Sequence, residues 1–312
     1  MNPTVKYSAF IASLILVMPY VAFADQGTQS QTLQVQLASV TCTDNYDAAY
    51  LNDVVNVINN PTITSTITTT DIPKLNADFT ALQADATANN ASQFKTDSQK
   101  FTSDQRTAHL DAVTAIKAAH STTVNSTLKS ETSQLQSTEK SCLFAAKQQK
   151  AQVKVQTYTK AITNAQNLSN NLSKHGANTA ALNQTINTAN NQIQAFQTAV
   201  NNAQNSTQLQ AALNSFCLYN GCKTANNFHF AANAAIQADQ AKLNALAGKN
   251  TTSTFQALVG QAQSDITNAQ TALTQVGANQ YQGTQSSTVW NDIKAATDVI
   301  HQLQQIVNHK HH

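Results

Sequence analysis

From Lys74 to His175 the chain reads KLNADFTALQADATANNASQFKTDSQKFTSDQRTAHLDAVTAIKAAHSTTVNSTLKSETSQLQSTEKSCLFAAKQQKAQVKVQTYTKAITNAQNLSNNLSKH, without one Gly or Pro. In a helix interior Gly costs about 1 kcal/mol and Pro about 3 kcal/mol relative to Ala, so a stretch this long lacking both is expected to be helical. It closes on Leu172-Ser173-Lys174-His175-Gly176. Two basic side chains there face the negative end of the helix dipole, and Gly accepts the left-handed conformation that stops a helix. Inside the stretch apolar residues recur at threes and fours. Leu75, Phe79, Leu82 and Ala86 make one run; Leu110, Val113, Val124, Leu128, Leu135 and Cys142 make another. Such narrow seams belong to coiled coils or bundles, with Ala, Thr and Gln filling many inward positions. Propensity falls at Asn89-Asn90 and at Ser121-Thr122-Thr123-Val124-Asn125. A bend at either place folds the stretch into a hairpin and buries a seam that one isolated helix leaves wet.

Upstream, Leu33, Leu37, Val40, Leu51, Val54, Val55 and Ile58 keep helical spacing until Asn59-Asn60-Pro61, which predicts one helix or two short ones. The run from Thr62 to Thr70 is β-branched almost throughout and is expected to be an extended linker. Asp71, with Pro73 two residues on, is expected to cap the next helix. Downstream the seams are clearer. Leu182, Ile186, Ala189, Ile193, Phe196 and Val200 alternate spacings of 4 and 3, as do Val259, Ala262, Ile266, Ala269, Leu273 and Val276 after Phe255. The likeness of Ile193–Val200 to Ile266–Leu273 fits a duplicated unit or shared low complexity. Trp290, Ile293, Ala296, Ile300, Leu303 and Ile306 make a last amphipathic face, with Trp290 a core anchor. With Gly248, Gly277 and Gly283 as punctuation, helices are expected over about 179–215, 225–247, 252–276 and 287–308. Short connections favour antiparallel neighbours, so the fold class is all-α: an elongated antiparallel helical bundle or coiled-coil hairpins with disulfide staples.

The N-terminus carries a secretory signal pattern: Lys6, the apolar run Phe10 to Met18, and Ala22-Phe23-Ala24 as a cleavage site. The apolar run is broken by Ser13 and Pro19 and is short beside the roughly 20 residues of a membrane span, which favours cleavage over an anchor. No later segment approaches a span. The expected organisation is a signal peptide over 1–24, an N-terminal helical segment with its Thr-rich linker over 25–70, a long helical arm over 71–175 and a C-terminal bundle over 176–312.

Four cysteines in an exported chain read as disulfides. Cys217 and Cys222 enclose Leu-Tyr-Asn-Gly, whose Asn220-Gly221 is a turn signal, so the local bridge is favoured. Cys42 and Cys142 then pair; the alternative leaves both as core thiols. Charged residues are only 11% of the chain and the formal net charge is +2, which Lys6 leaves nearer neutrality when it departs with the signal. No field of that size gathers nucleic acid or an acidic membrane. Arg106 is the sole arginine, and Glu131 and Glu139 are the only glutamates, so the surface depends little on carboxylate ionisation and suits an acidic or variable medium.

Candidate chemistry is sparse. A di-iron bundle needs several inward Glu and Glu-x-x-His pairs, and no Cys-x-x-Cys-His or Gly-x-Ser-x-Gly is present. The glycines are scattered singly, so a phosphate loop is absent. His109 and His120 share nearly one helical face but lie too far apart along the axis for one ion. The tail residues His309, His311 and His312 can bind transition metals through imidazole, although such tails are commonly just solvated. Lys140, Lys147 and Lys154 recur every 7 residues with Lys150 beside them, a basic stripe usable against an acidic polymer or wall component. Sequons stand at Asn90, Asn125, Asn167, Asn171, Asn183, Asn205 and Asn250. These features imply no catalysis and no cofactor. The expected role is a structural or protein-interaction module at the cell surface or in an extracellular matrix. The alternative is a periplasmic binding or chaperone-like bundle whose groove holds an apolar segment of a partner. The expected partner is a protein or cell-envelope component, a second copy of the chain included.

Overall fold

The computed structural model describes residues 26–223, 226–280 and 283–309. The expected signal peptide and the histidines His311 and His312 lie outside the described residues. The fold is all-α. Its helices are α1 (Gln26–Ile58), α2 (Ile72–Thr87), α3 (Ala91–Ala119), α4 (Thr122–Lys174), α5 (Ala180–Asn202), α6 (Ser206–Ser215), α7 (Asn226–Ala247), α8 (Ser253–Gln275) and α9 (Thr284–His309). One short hairpin, β1 (Cys217–Leu218) with β2 (Gly221–Cys222), stands between α6 and α7. The chain divides into two compact units, Ala24–Val153 and the part beginning at Lys154. Both expected disulfides are present, Cys42 to Cys142 and Cys217 to Cys222.

In the first unit α1, α2 and α3 pack on one another around Leu51, Val54, Leu75, Leu82, Phe94 and Phe101. The Gly/Pro-free stretch bends at both weak points. After α2, Asn89 takes φ 55° and the Asn90 side chain accepts a hydrogen bond from the Gln93 amide, a stop and a new N-cap in adjacent residues. After α3, His120 closes the helix at φ 43° and the Ser121 hydroxyl accepts from the Val124 amide. At the far end α4 stops as expected at Gly176 (φ +84°), with the Gly176 amide donating to Ser173 and the Ala177 amide to Leu172, a Schellman stop.

Three expectations for this unit are corrected. Thr62–Thr70 is not an extended linker: it coils into a helical turn that widens into a π-helical segment, Ile67–Asp71. The Thr64, Thr68 and Thr69 hydroxyls donate back to the carbonyls of Asn60, Thr64 and Ser65, and Ile67 is buried. Local back-bonding and one buried anchor outweigh β-propensity. Asp71 makes no capping bond; it is the buried last residue of that segment. Leu110 and Val113 are not core residues, being 67% and 42% exposed. The inward face of α3 is Phe94, Phe101, Ala108, Ala112 and Ala115, a seam whose C-terminal half is alanine.

In the second unit α7, α8 and α9 enclose one core, with Phe255, Ala262, Ile266 and Ala269 of α8 facing Ile293, Ala296, Ile300 and Leu303 of α9. Phe228 meets the Trp290 ring edge-on at 6.1 Å, which makes Trp290 the core anchor expected of it. The predicted seam of α5, Leu182 to Val200, is buried in full. The single helix expected over 179–215 is interrupted, because the Asn205 side chain accepts from the Gln208 amide and starts α6 afresh. Deep in the unit Lys242 and Asp239 form a buried ion pair at 2.9 Å, and the Thr297 hydroxyl donates to the second Asp239 oxygen at 2.7 Å. Each charge is paired, which buried charge requires.

Candidate functional site

The structure leaves most of the sequence-predicted candidates apart. Lys140, Lys147, Lys150 and Lys154 are all exposed along α4, and among the described residues no acidic side chain forms a salt bridge with the first three. His309 ends α9, and its companions lie outside the described residues. Among the described residues no three His, Cys, Asp or Glu side chains are gathered as a metal ion would need. Of the sequons, Asn250 is buried and the Asn183 amide is engaged by Ser169 and Thr179, so neither offers a free acceptor nitrogen to a modifying enzyme.

Two groupings were not foreseen. The first surrounds the Cys42–Cys142 bridge. Asp47 of α1 is fully buried and meets the His109 imidazole Nε2 of α3 at 2.7 Å. Tyr46 and Tyr50 stack at 6.1 Å, one helical turn apart, and the Tyr50 ring lies 5.2 Å from the His109 ring. Burial, then the Asp47 charge, pushes the Asp44 carboxyl up to about 6. Burial and Asp47 likewise raise Glu139 of α4, against the opposing pull of His109 and Lys140. Burial also raises both tyrosines. The grouping binds α1 to α3 through Asp47 and His109, and α1 to α4 through the disulfide.

The second grouping does open on one. A cleft of about 340 Å³ lies between α5, the β-hairpin and α7. The seam of α5 turns Leu182, Ile186, Ala189 and Ile193 inward; one step round the helix, Gln184, Thr188 and Gln192 line the cleft, at the spacing that puts residues on one face. Gln237 of α7 supplies another wall, and Tyr219 and Asn220 at the hairpin tip supply the last. The hairpin pairs Cys217 with Cys222 and Leu218 with Gly221, so its turn residues are Tyr219 (φ 47°) and Asn220 (φ 69°), not Asn220-Gly221. Two central residues at positive φ make the turn that suits a hairpin's twist, but a bulky Tyr there is a conformational outlier.

Several contacts hold the tip in that form. The disulfide closes the hairpin's base, and the Cys222 amide donates to the Ala278 carbonyl at 2.5 Å. The Tyr219 amide donates to the Gln192 side-chain oxygen at 2.8 Å. Beneath, Thr185 is only 2% exposed; its hydroxyl accepts from the buried Asn233 amide at 2.9 Å and stands 3.4 Å from the Tyr219 hydroxyl. Among the described residues the cleft lining carries no charged side chain. What it offers is neutral amide and hydroxyl groups, each able to donate and accept, beside one aromatic ring. Sequence reasoning missed it because Gln, Asn and Thr recur everywhere in the chain; the only local signal was the turn within the Cys217–Cys222 loop.

Protein-family models, curated proteins and solved structures were all compared with this chain, and none matches.

Proposed function

We propose that the chain is a non-enzymatic, extracytoplasmic structural or interaction module acting at a cell surface or in an extracellular matrix. The observation that carries this reading is the pairing of all four cysteines, one pair stapling α1 to α4 across a sequence separation of 100 and the other closing the hairpin beside the cleft. Disulfides of that kind persist in oxidising compartments. No described helix is long and apolar enough to cross a membrane. The low charge fits a surface that works by neutral contacts. Fractionation of the source cells with thiol labelling tests it: the protein should be recovered outside the cytoplasm, its cysteines alkylated only after reduction, and crosslinking should join it to an envelope or surface component. Recovery from the cytosol with free thiols refutes the reading.

A second reading, a binding or chaperone-like bundle, draws on an open groove of about 620 Å³ between α1 and α3, where Leu33 and Phe94 lie among Thr32, Gln36, Ser98 and Thr102. That groove suits one face of an amphipathic partner helix. The discriminating measurement is suppression of aggregation of an unfolded client, which this second reading requires and the first does not.

A further inference from the structure

We infer that the cleft between α5, the Cys217–Cys222 hairpin and α7 binds a neutral oligosaccharide. The inference deepens the surface-module reading by giving it a ligand class, and it rests on that reading for its biological setting only. Its volume of about 340 Å³ lies at the small end of the roughly 300–1,000 Å³ of ligand sites. A charged ligand entering it surrenders hydration to a lining that holds no counter-charge. An apolar ligand strands the polar groups. Sugar hydroxyls, by contrast, both donate and accept, as do the amides of Gln184, Gln237 and Asn220 and the hydroxyl of Thr188. The Tyr219 ring borders the cleft, with its hydroxyl turned to the buried Thr185 hydroxyl at 3.4 Å.

The site is also pre-formed, which lowers the cost of binding. Gln192 spends its oxygen on the Tyr219 amide and keeps its NH2 group as a donor. Thr185 and Asn233, both buried, form the floor below the Tyr219 hydroxyl. The disulfide holds two consecutive residues at positive φ, and so keeps Tyr219 and Asn220 at the cleft edge.

Calorimetry and saturation-transfer NMR on the full chain, with cellotetraose, maltotetraose, chitotetraose and mannotriose as probes, test this. At least one should bind with Kd below about 1 mM, or −4 kcal/mol, and its sulfated counterpart should bind no tighter. Gln192→Ala should weaken binding at least tenfold. So should Tyr219→Asn, a residue that accepts positive φ, without lowering the melting temperature. The matching insoluble polymer separates the sources. Retention on the polymer that the tetrasaccharide competes away identifies a wall or matrix glycan, and binding of the free sugar alone identifies a soluble one. No binding across the panel, or binding that both substitutions leave intact, overturns the inference. Either result is independent of where the protein is recovered in fractionation.

Discussion

Asp44→Asn should make the protein more stable at neutral pH and leave it unchanged in acid. Asp44 is half-buried on α1 two residues from Cys42, and burial with the nearby Asp47 charge raises its carboxyl from 3.8 to about 6. A shift of about two units is worth about 3 kcal/mol at 1.36 kcal/mol per unit. Because water still reaches the group, screening reduces this to about 1 kcal/mol. The sign follows from proton binding. The folded state holds the Asp44 proton more tightly than the unfolded chain, so its favourable contribution is complete below about pH 4 and is lost as pH rises from about 4 to about 6. Above that the ionised carboxylate is a constant penalty, and Asn, nearly the same shape, removes it. Urea denaturation of both proteins at pH 4, 5, 6 and 7 measures the effect. The two midpoints should coincide at pH 4 and part by about 1 kcal/mol at pH 7. A gap that is the same at every pH, or a variant less stable at pH 7, refutes the assignment of burial as the dominant cause.

Replacing Cys42 and Cys142 together with Ser should cost about 3–5 kcal/mol, since opening a loop with a sequence separation of 100 frees that much chain entropy; a loss below about 1 kcal/mol in denaturant would show that packing alone orders α1 against α4. Leu82→Ala should cost about 2–5 kcal/mol while Leu110→Ala costs under about 0.5 kcal/mol, because the first is fully buried and the second stands in solvent; equal losses in thermal melts would restore the seam through Leu110. Lys242→Ala should destabilise by about 3–5 kcal/mol by stranding the buried Asp239 carboxylate, and Lys242→Met with Asp239→Leu should recover most of it; a double variant no better than the single one refutes this. Burial holds the His229 imidazole below its usual 6.5, partly offset by backbone hydrogen bonds from it to Gly277 and Gln280. Its contribution is therefore present above about pH 6.5 and lost as pH falls below it, and His229→Gln should flatten the stability profile between pH 5 and 6.5.

Those opposed pH effects show how far composition could be read. The scarcity of Glu leads to the expectation of a protein undemanding of carboxylate ionisation; the aspartates carry most of the acidic charge, and burial raises Asp71, Asp78 and Glu139 as it does Asp44. Asp104 runs the other way: burial lifts it, but hydrogen bonds from Lys74, Asp78 and Lys100 prevail and take it down to about 2, so what it contributes fails only in strong acid. The long seams of α5, α8 and α9 were legible because bulky residues mark them at unbroken spacings of 3 and 4. In α3 the same rule misled. There the buried face ends in Ala108, Ala112 and Ala115, where small residues admit close helix approach, while Leu110 and Val113 sit outward. A count of large apolar residues finds the wrong stripe when the right one is made of alanine. The threonine run failed for a different reason: propensity describes an isolated residue, whereas Thr64, Thr68 and Thr69 each find a carbonyl one turn back.

The cleft shows the deeper limit. Its residue types are the commonest polar types in the chain, so nothing in their frequency distinguishes Gln184 or Gln237 from the many solvated amides elsewhere. The distinguishing mark is conformational. A glycine stands at 221, one position past the turn, yet the hairpin places Tyr219 and Asn220 at positive φ and uses Gly221 as a buried strand residue paired with Leu218. Shifting the turn by one residue would relieve Tyr219, a strain of about 1–3 kcal/mol. It would also reverse the side-chain alternation of the hairpin, taking Leu218 off its fully buried side. Burying Leu218 is worth about 1.5–3 kcal/mol, and the Tyr219 amide bond to Gln192 adds to it. The packing underneath therefore fixes the register, and the register sets the one tyrosine of this hairpin at the rim of the neutral cleft. Turn propensity alone, which favours Asn220-Gly221, could locate the disulfide loop but not the face it presents.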